Sequence, residues 1–443
     1  MRKILLALFL TATSVAPIHA AQQPLTVMSR NLYLGADVGV AMKLIPDFSA
    51  AAQFMWNQVS ATDFSKRAPI LAQEVISQNA DVVGLQEATH WYCKKNLWSK
   101  KVVVFDFTQQ FLEATRKLGH EYMLASKAGV DALNIGYSIP AIPYLTMVTD
   151  PQTFQPLFGS ERAACGFEIG DALVVKKEIA SKIIRVGNSE YKTSYSIIPK
   201  IMTIYRGYTW TDIDYNGSKV RIVSTHLESL WDSNKVPNAA LQAKQLIEDL
   251  SSTKMPTIVI GDFNSDPRDP RPNSESNPGG QPESSIACKA QVSKPTLKSA
   301  IDSCNPYWLM RRAGFADAGP DAQDGKNFTW GMGALLTGPD EKRYRAALMM
   351  GNMYGFTDRL DYIFLKNGAE VVSSKIVGNT APKSGLWPSD HASVVAQISL
   401  PSYSGESAPL DPHKPFPISF WNWVGILFLI SFSGIIYLRR RRK

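Results

Sequence analysis

The 443-residue chain lacks the marks of several protein classes. It holds only four cysteines, with no Cys-x-x-Cys pair and no Cys/His cluster, which speaks against a zinc site. It has no internal repeat, which excludes a solenoid or a propeller. It is not poor in apolar residues either: 45% hydrophobic against 19% charged excludes wholesale disorder and fits a large globular body. The body also lacks an excess of charge of one sign. The formal net charge is +8, yet Arg2, Lys3, Arg439, Arg440, Arg441, Arg442 and Lys443 supply seven of the 47 basic residues. Neither end carries an acid, so the body sets 40 basic residues against 39 acidic ones and offers no broad field for a polyanion.

The two ends read as membrane-targeting sequence. Met1 to Ala20 has a basic start, an apolar run from Ile4 to Leu10 and small residues before Ala21, the pattern of a cleaved export signal. Ile418 to Leu438 is an uncharged stretch of 21 residues, close to the ~20 that cross a bilayer. Trp421, Trp423 and Tyr437 lie near its edges, and Arg439 to Lys443 follow at once, which by the positive-inside rule keeps that tail in the cytoplasm and the body outside. Pro401 to Pro417 reads as a Pro-rich spacer before a single-pass anchor or a sorting signal that is later cut. Four cysteines in an exported body allow three disulfide connectivities, of which Cys288–Cys304 with Cys93–Cys165 is one.

Between the ends, Ala21 to Leu400 is expected to form one α/β domain. Short β-rich runs recur at Leu25–Met28, Asp81–Leu85, Ala172–Val175, Val220–Ser224, Thr257–Ile260, Asp361–Leu365 and Ala392–Ile398. Helical spacing separates some of them, as in Ile70, Leu71, Val75 and Ile76, or Leu241, Gln245, Leu246 and Leu250. Strands flanked by helices imply a layered sheet architecture. Three stretches read as insertions. Ser265–Ser285 has the composition of an exposed loop, Ser126–Phe158 is apolar but aperiodic and broken by prolines, and Gly331–Gly355 is rich in Met and Leu.

Polar residues gather at the ends of the apolar runs. Asn31, Glu87, His226, Asp262 and Asn264 follow them, while Asp361 opens one and Asp390-His391 precede another. Strand ends in a layered sheet converge on a crevice. Carboxylates and carboxamides there suit a hard cation such as Mg²⁺, and a His beside a carboxylate suits proton transfer, the set needed for metal-assisted hydrolysis of a phosphate ester. Taken singly, each residue has an ordinary reading: Gly-Asp-x-Asn is common turn chemistry, and a lone His is more often structural.

Taken together they carry a resemblance. Ser29-Arg30-Asn31-Leu32-Tyr33, Gly84-Leu85-Gln86-Glu87, Ser224-Thr225-His226-Leu227, Gly261-Asp262-Phe263-Asn264, Asp358-Arg359-Leu360-Asp361-Tyr362-Ile363 and Ser389-Asp390-His391 resemble, in order, the motifs of the endonuclease/exonuclease/phosphatase superfamily. The resemblance implies a four-layer α/β sandwich of two stacked mixed β-sheets flanked by helices, and a divalent-metal phosphoesterase using Mg²⁺ or Mn²⁺. By the same resemblance Glu87 is the principal metal ligand, with Asn31 beside it and Asp390 as a further metal-side carboxylate. Asp262 and Asn264 orient the attacking water or the phosphate. His391, oriented by Asp361, is the general base, a role that passes to Asp262 in parts of the superfamily, and His226 stabilises or protonates at the phosphate. Arg206-Gly207 resembles a structural turn before the His-bearing strand. Tyr33 and Asp171 depart from the pattern, the latter standing where Asn is common.

Three functions fit these residues. One is a phosphodiesterase acting on a membrane lipid, as in the sphingomyelinase branch, with Tyr137, Ile139, Ile142, Tyr144, Leu145 and Phe154 as a bilayer contact or as core over a sheet edge. Another is a secreted or surface-anchored nuclease, with Lys94, Lys95, Lys100 and Lys101 tracking a phosphate backbone. The third is an inactive binding module on a stalk, against which the complete acid/base set speaks.

Overall fold

The structure is a computed structural model that describes residues 23–410 apart from 97, 146–147, 151–152, 160–161, 199–201, 230–235, 270–303 and 407. The export signal, the end of the spacer, the 418–438 run, the basic tail and Cys288 lie outside the described residues. No helix among the described residues is long and apolar enough to cross a membrane.

Two sheets carry the fold. The first contains β1 (Leu25–Asn31), β2 (Val82–Gln86), β3 (His90–Lys94), β4 (Val102–Asp106), β5 (Tyr122–Leu124), β6 (Leu133–Leu145) and β7 (Ala163–Lys176). The second contains β8 (Ile183–Glu190), β9 (Gly207–Tyr215), β10 (Ser218–His226), β11 (Thr257–Asp262), β12 (Ala316–Asp317) and β13 (Asp361–Lys366), after which β14 (Glu370–Val377) and β15 (Ser393–Ser399) return to the first. Their spatial orders are β14-β15-β1-β2-β7-β3-β4, with β5 and β6 also on β7, and β8-β9-β10-β11-β13-β12. Both are mixed, since β1–β2 and β10–β11 run parallel among antiparallel pairs. Every strand expected from the sequence overlaps one of these, with Asp81 and Ala392 each falling one residue ahead of its strand.

The side-chain alternation along the strands builds the four layers. Leu25, Val27, Val82, Ile222, Ile258, Ile260, Ile363 and Leu365 point into the space between the sheets. The intervening Met28, Val83 and Leu85 point outward, under helices α1 (Phe48–Thr62), α2 (Phe64–Ser77) and α3 (Phe107–Lys117). Val223, Val259, Tyr362 and Phe364 face the other way, under α4 (Asn238–Asp249) and α5 (Pro306–Arg312). Burial on both faces explains why the strands read as nearly continuous apolar runs. The sheets approach closely at Gly84, where a Cβ would lie 2.9 Å from both Ile260 Cγ2 and Ser224 Oγ.

The stretch expected to be aperiodic becomes the 13-residue β6, paired antiparallel with β7. Its register shifts between Ile139 and Ile142 and again between Ile142 and Leu145, so Pro140 and Pro143 fall in bulges, where proline takes no ladder bond away. Cys93 and Cys165 face each other across β3 and β7 and are bonded to each other. Cys304 is disulfide-bonded as well. The Ser265 stretch, read as exposed, begins buried: Asp266 accepts hydrogen bonds from Arg268 and from the Arg359 backbone N–H. The first spacer residues pack on the body, where Ser218 Oγ donates to Pro401 O and Arg221 Nη2 to Ala408 O.

Candidate active site

Strand register places the chemistry. His226 and Asp262 are partners across the parallel β10–β11 pair, and Asp262 and Asp361 are partners across the antiparallel β11–β13 pair, so three functional side chains form one rank at the edge of the second sheet. Asn31 and the residue before Glu87 are partners at the same end of the first sheet. Gln86 ties the two edges together below the site, accepting from Ser29 Oγ and donating to Ser224 Oγ. Asp390-His391 enter just ahead of β15, held by Arg30 Nη1 donating to His391 O at 2.6 Å and by Ser389 Oγ, which donates to Asn31 O.

Asp262 is the hub. Its Oδ2 accepts from Asn31 Nδ2 at 3.0 Å and lies 3.5 Å from His226 Nε2 and 3.6 Å from His391 Nε2. Its Oδ1 accepts from the Asn264 backbone N–H at 2.8 Å. His391 Nδ1 lies 2.9 Å from Asp361 Oδ2, which fixes the ring, and its Nε2 is 4.0 Å from Asp390 Oδ1. Glu87 accepts from the Leu34 backbone N–H, and Trp330 Nε1 donates to Asp390 Oδ2. All eight residues expected from the sequence therefore share one region. Tyr33, Glu87 and Asn264 hold φ angles of 57°, 55° and 46°, left-handed conformations that concentrate at functional sites.

Burial dominates the electrostatics. It pushes the Glu87 carboxyl up, with Asp390 adding to the effect, and it raises Asp390 itself. Burial with the neighbouring Asp361 brings Asp262 to about 7, against the pull of His391. Burial opposes charge on His391, yet Asp361, Asp390 and Asp262 outweigh it and lift the imidazole to about 10. His226 goes the other way, held well below the ordinary histidine range by burial, Arg206 and His391.

The residues fit a divalent cation. Asp262, Asp361 and His391 each offer a donor atom, all within 4.8 Å of one another, a grouping different from the expected Glu87, Asn31 and Asp390. Asp361 Oδ1 and Asp390 Oδ1 are buried without a hydrogen-bond partner, as oxygens awaiting a cation are.

One residue read as structural lies at the site. Arg206 precedes β9, and its Nη1 is 3.1 Å from His226 Nδ1. A guanidinium has no acceptor, so Nη1 donates and the imidazole is neutral. Asp171 lies in the same recess, its carboxyl raised well above the ordinary range by burial. The resemblance marked Arg206-Gly207 only as a turn before the His-bearing strand, because an Arg-Gly dipeptide by itself carries no sign of what its guanidinium reaches.

A two-sheet α/β sandwich with carboxylates, carboxamides and paired imidazoles at one edge defines a phosphoesterase-type fold. Residues 57–391 match the Endonuclease/Exonuclease/phosphatase family, and the chain belongs to it. The chain is similar to a solved endonuclease/exonuclease/phosphatase family protein from Leptotrichia buccalis, at 16% identity and a TM-score of 0.45, covering 85% of this chain and 100% of that one. It is also similar to D. rerio TDP2 complexed with a single-strand DNA product, at 13% identity, a TM-score of 0.43 and coverage of 85% and 98%. A third is the mannosyl-6-phosphatase of Bacteroides thetaiotaomicron, at 14% identity, a TM-score of 0.40 and coverage of 85% and 100%. No curated protein sequence matches the chain.

Proposed function

We propose that the protein is a Mg²⁺-dependent phosphodiester hydrolase, exported and held at a membrane by its C-terminal run, acting on a phospholipid such as sphingomyelin. The hydrolase reading is carried by Asp262, a buried carboxyl near neutrality in contact with Asn31 and within 3.6 Å of both imidazoles. A group near 7 is matched to taking a proton from water at physiological pH, so Asp262 is favoured over His391 as the base. His391, kept cationic by Asp361, donates to a phosphoryl oxygen as charge builds. His226, neutral beside Arg206, donates a hydrogen bond and does not serve as an acid. Held by Glu87, Asn31 and Asp390, the cation would leave His391 free to donate and would supply positive charge against the reacting phosphate.

The lipid reading rests on the rim. In the 331–355 insertion Leu335, Tyr344, Leu348, Met349, Met353 and Tyr354 are all exposed, with Met349 at 67% and Met353 at 64%. This segment adjoins the site, since the Gly331 N–H donates to Asp390 O and Tyr33 OH donates to Ala334 O. Apolar side chains on such a rim fit a substrate presented in a bilayer. The nuclease reading has one feature in its favour, the Lys94, Lys95, Lys100 and Lys101 hairpin with Trp98 at 91% exposure, although Lys101 is paired with Glu168.

A panel of sphingomyelin vesicles, phosphatidylcholine vesicles and supercoiled plasmid, each with Mg²⁺ or Mn²⁺, tests the assignment. Choline-phosphate release by wild type, with Glu87→Ala lowered by at least ~10²-fold, is expected. Plasmid nicking without lipid turnover replaces the lipid reading with the nuclease one, and no turnover of any phosphate ester overturns both.

A further inference from the structure

We propose that the apolar cavity between the short helix Val38–Lys43, α1 and the outer face of β3 and β7 takes one hydrocarbon chain, the tail of the lipid substrate. The inference rests on the lipid reading above and deepens it.

The cavity holds about 580 Å³ of empty space out to its mouth, within the ~300–1,000 Å³ of small-molecule sites. Protein interiors are otherwise close-packed, so a gap of this size forfeits contacts unless something fills it. Its room comes from small residues: Ala41, Ala51 and Ala52 stand where larger side chains would close it. Its floor is braced against collapse. Trp91 and Phe167 have ring centroids 4.6 Å apart, Trp91 meets Trp56 edge-on at 6.3 Å, and Cys165 is bonded to Cys93. Met42, Ile45 and Phe48 line the cavity while only half-buried, which sets the mouth on that side. Val40 and Leu44 of the same segment are exposed beside it.

The chemistry of the lining selects the occupant. No charged side chain among the described residues lines the cavity, and the Trp91 indole N–H is already donated to Leu34 O at 2.9 Å. A polar group carried inside would give up water and find no side-chain partner, which disfavours a peptide, a sugar or a nucleobase there. A hydrocarbon chain loses no hydrogen bond, and the flexible Met42 and Met55 can follow its shape. Position ties that chain to the site. Leu34 donates its N–H to Glu87 and accepts from Trp91, so a single residue separates the expected metal ligand from the cavity floor. Its neighbour Tyr33 donates its backbone N–H to Asn31 Oδ1 and its hydroxyl to Ala334 O on the apolar rim. Rim, reacting edge and cavity therefore meet on one loop, as a phosphoester with an alkyl tail requires.

The test uses the full-length chain with Mg²⁺ and single-chain phosphocholine diesters bearing butyl, octyl or dodecyl chains, each below its micelle concentration, with choline-phosphate release measured. Wild-type kcat/KM should climb at least ~10²-fold from butyl to dodecyl, because each buried methylene adds to binding. Ala52→Phe and the milder Ala41→Leu fill the cavity and should cut that ratio at least ~10-fold. Binding is read apart from turnover. The probe ω-bromododecanoic acid should quench tryptophan fluorescence in wild type, less in the filled variants and in Trp91→Phe, and should raise the wild-type unfolding midpoint. Circular dichroism checks the fold, and the wild-type and Trp91→Phe quenching decide where the filled variants unfold. No quenching in wild type, as when another segment of the chain already fills the cavity, overturns the inference, and so does equal quenching in the folded variants. Quenching that needs the cavity, with a flat chain-length ratio, overturns the substrate-tail role and leaves the lipid reading intact. Should wild type hydrolyse no lipid phosphodiester, the lipid reading fails, and quenching alone decides whether the cavity holds a chain.

Discussion

Replacing Asp361 by Asn keeps the shape of the site while removing the carboxylate that faces His391 Nδ1 at 2.9 Å. His391 rises from 6.5 to about 10, and Asp361 leads the carboxylates that raise it against burial. At about 1.4 kcal/mol per pKa unit, the net preference for the imidazolium is about 5 kcal/mol. An opposite charge in contact shifts a pKa by about 1–3 units, so without Asp361 the imidazole titrates about two pH units lower. The assay is kcat/KM for bis(p-nitrophenyl) phosphate against pH at a fixed excess of Mg²⁺, which reports the free enzyme's essential groups. With Asp262 as base and cationic His391 as donor, wild type is active where Asp262 has lost its proton and His391 has kept its own. The profile then rises through the Asp262 limb near 7 and falls through the His391 limb near 10. Asp361→Asn should lower the acid limb somewhat, because Asp361 also raises Asp262, and bring the alkaline limb down by about two units, a loss of about tenfold at pH 9 and none at pH 6. A uniform loss at every pH with the alkaline limb unmoved would refute the reasoning. A wild-type profile with no alkaline fall would return the base role to His391.

Two further outcomes test the frame around the site. Gly84→Ala places a methyl 2.9 Å from Ile260 Cγ2 and Ser224 Oγ in the packed space between the sheets, so overpacking should lower stability by about 1–3 kcal/mol in urea unfolding; an unchanged midpoint would show that the sheets can separate freely there. The Cys93–Cys165 bond closes a sequence separation of 72 residues, and the double Ser variant should lose about 4 kcal/mol of stability, with a loss under about 1 kcal/mol speaking against that contribution.

Much of the frame could be read before the structure because the strands are buried on both faces. Val82-Val83-Gly84-Leu85 and Ile258-Val259-Ile260 alternate between two apolar layers, so each stands out as a short apolar run with polar residues at its end. Those ends are where function sits, and the ordered motifs therefore named residues that strand register brings together, such as His226, Asp262 and Asp361. The Leu133–Leu145 strand was hidden for the opposite reason. Prolines at 140 and 143 interrupt its alternation, and only the partner strand, by taking up the register shifts, makes them compatible with a sheet.

Arg206 shows where the sequence stops being informative. Arg30, Arg67, Arg221 and Arg359 lie in the same apolar body, and as letters none differs from Arg206. What each guanidinium reaches depends on chain segments up to hundreds of residues away, as when Arg67 meets Pro388 while Arg206 meets His226. Local pattern reports which face a side chain takes, and it carries nothing about whether the donors on that face are already spent. The same holds at Asp262, whose one oxygen serves Asn31 from one sheet and faces imidazoles from two strand ends. Burial and the facing Asp361 raise that carboxyl to about 7 against the pull of His391 and Asn31, so its proton is exchangeable near neutral pH only because segments from both sheets enclose it.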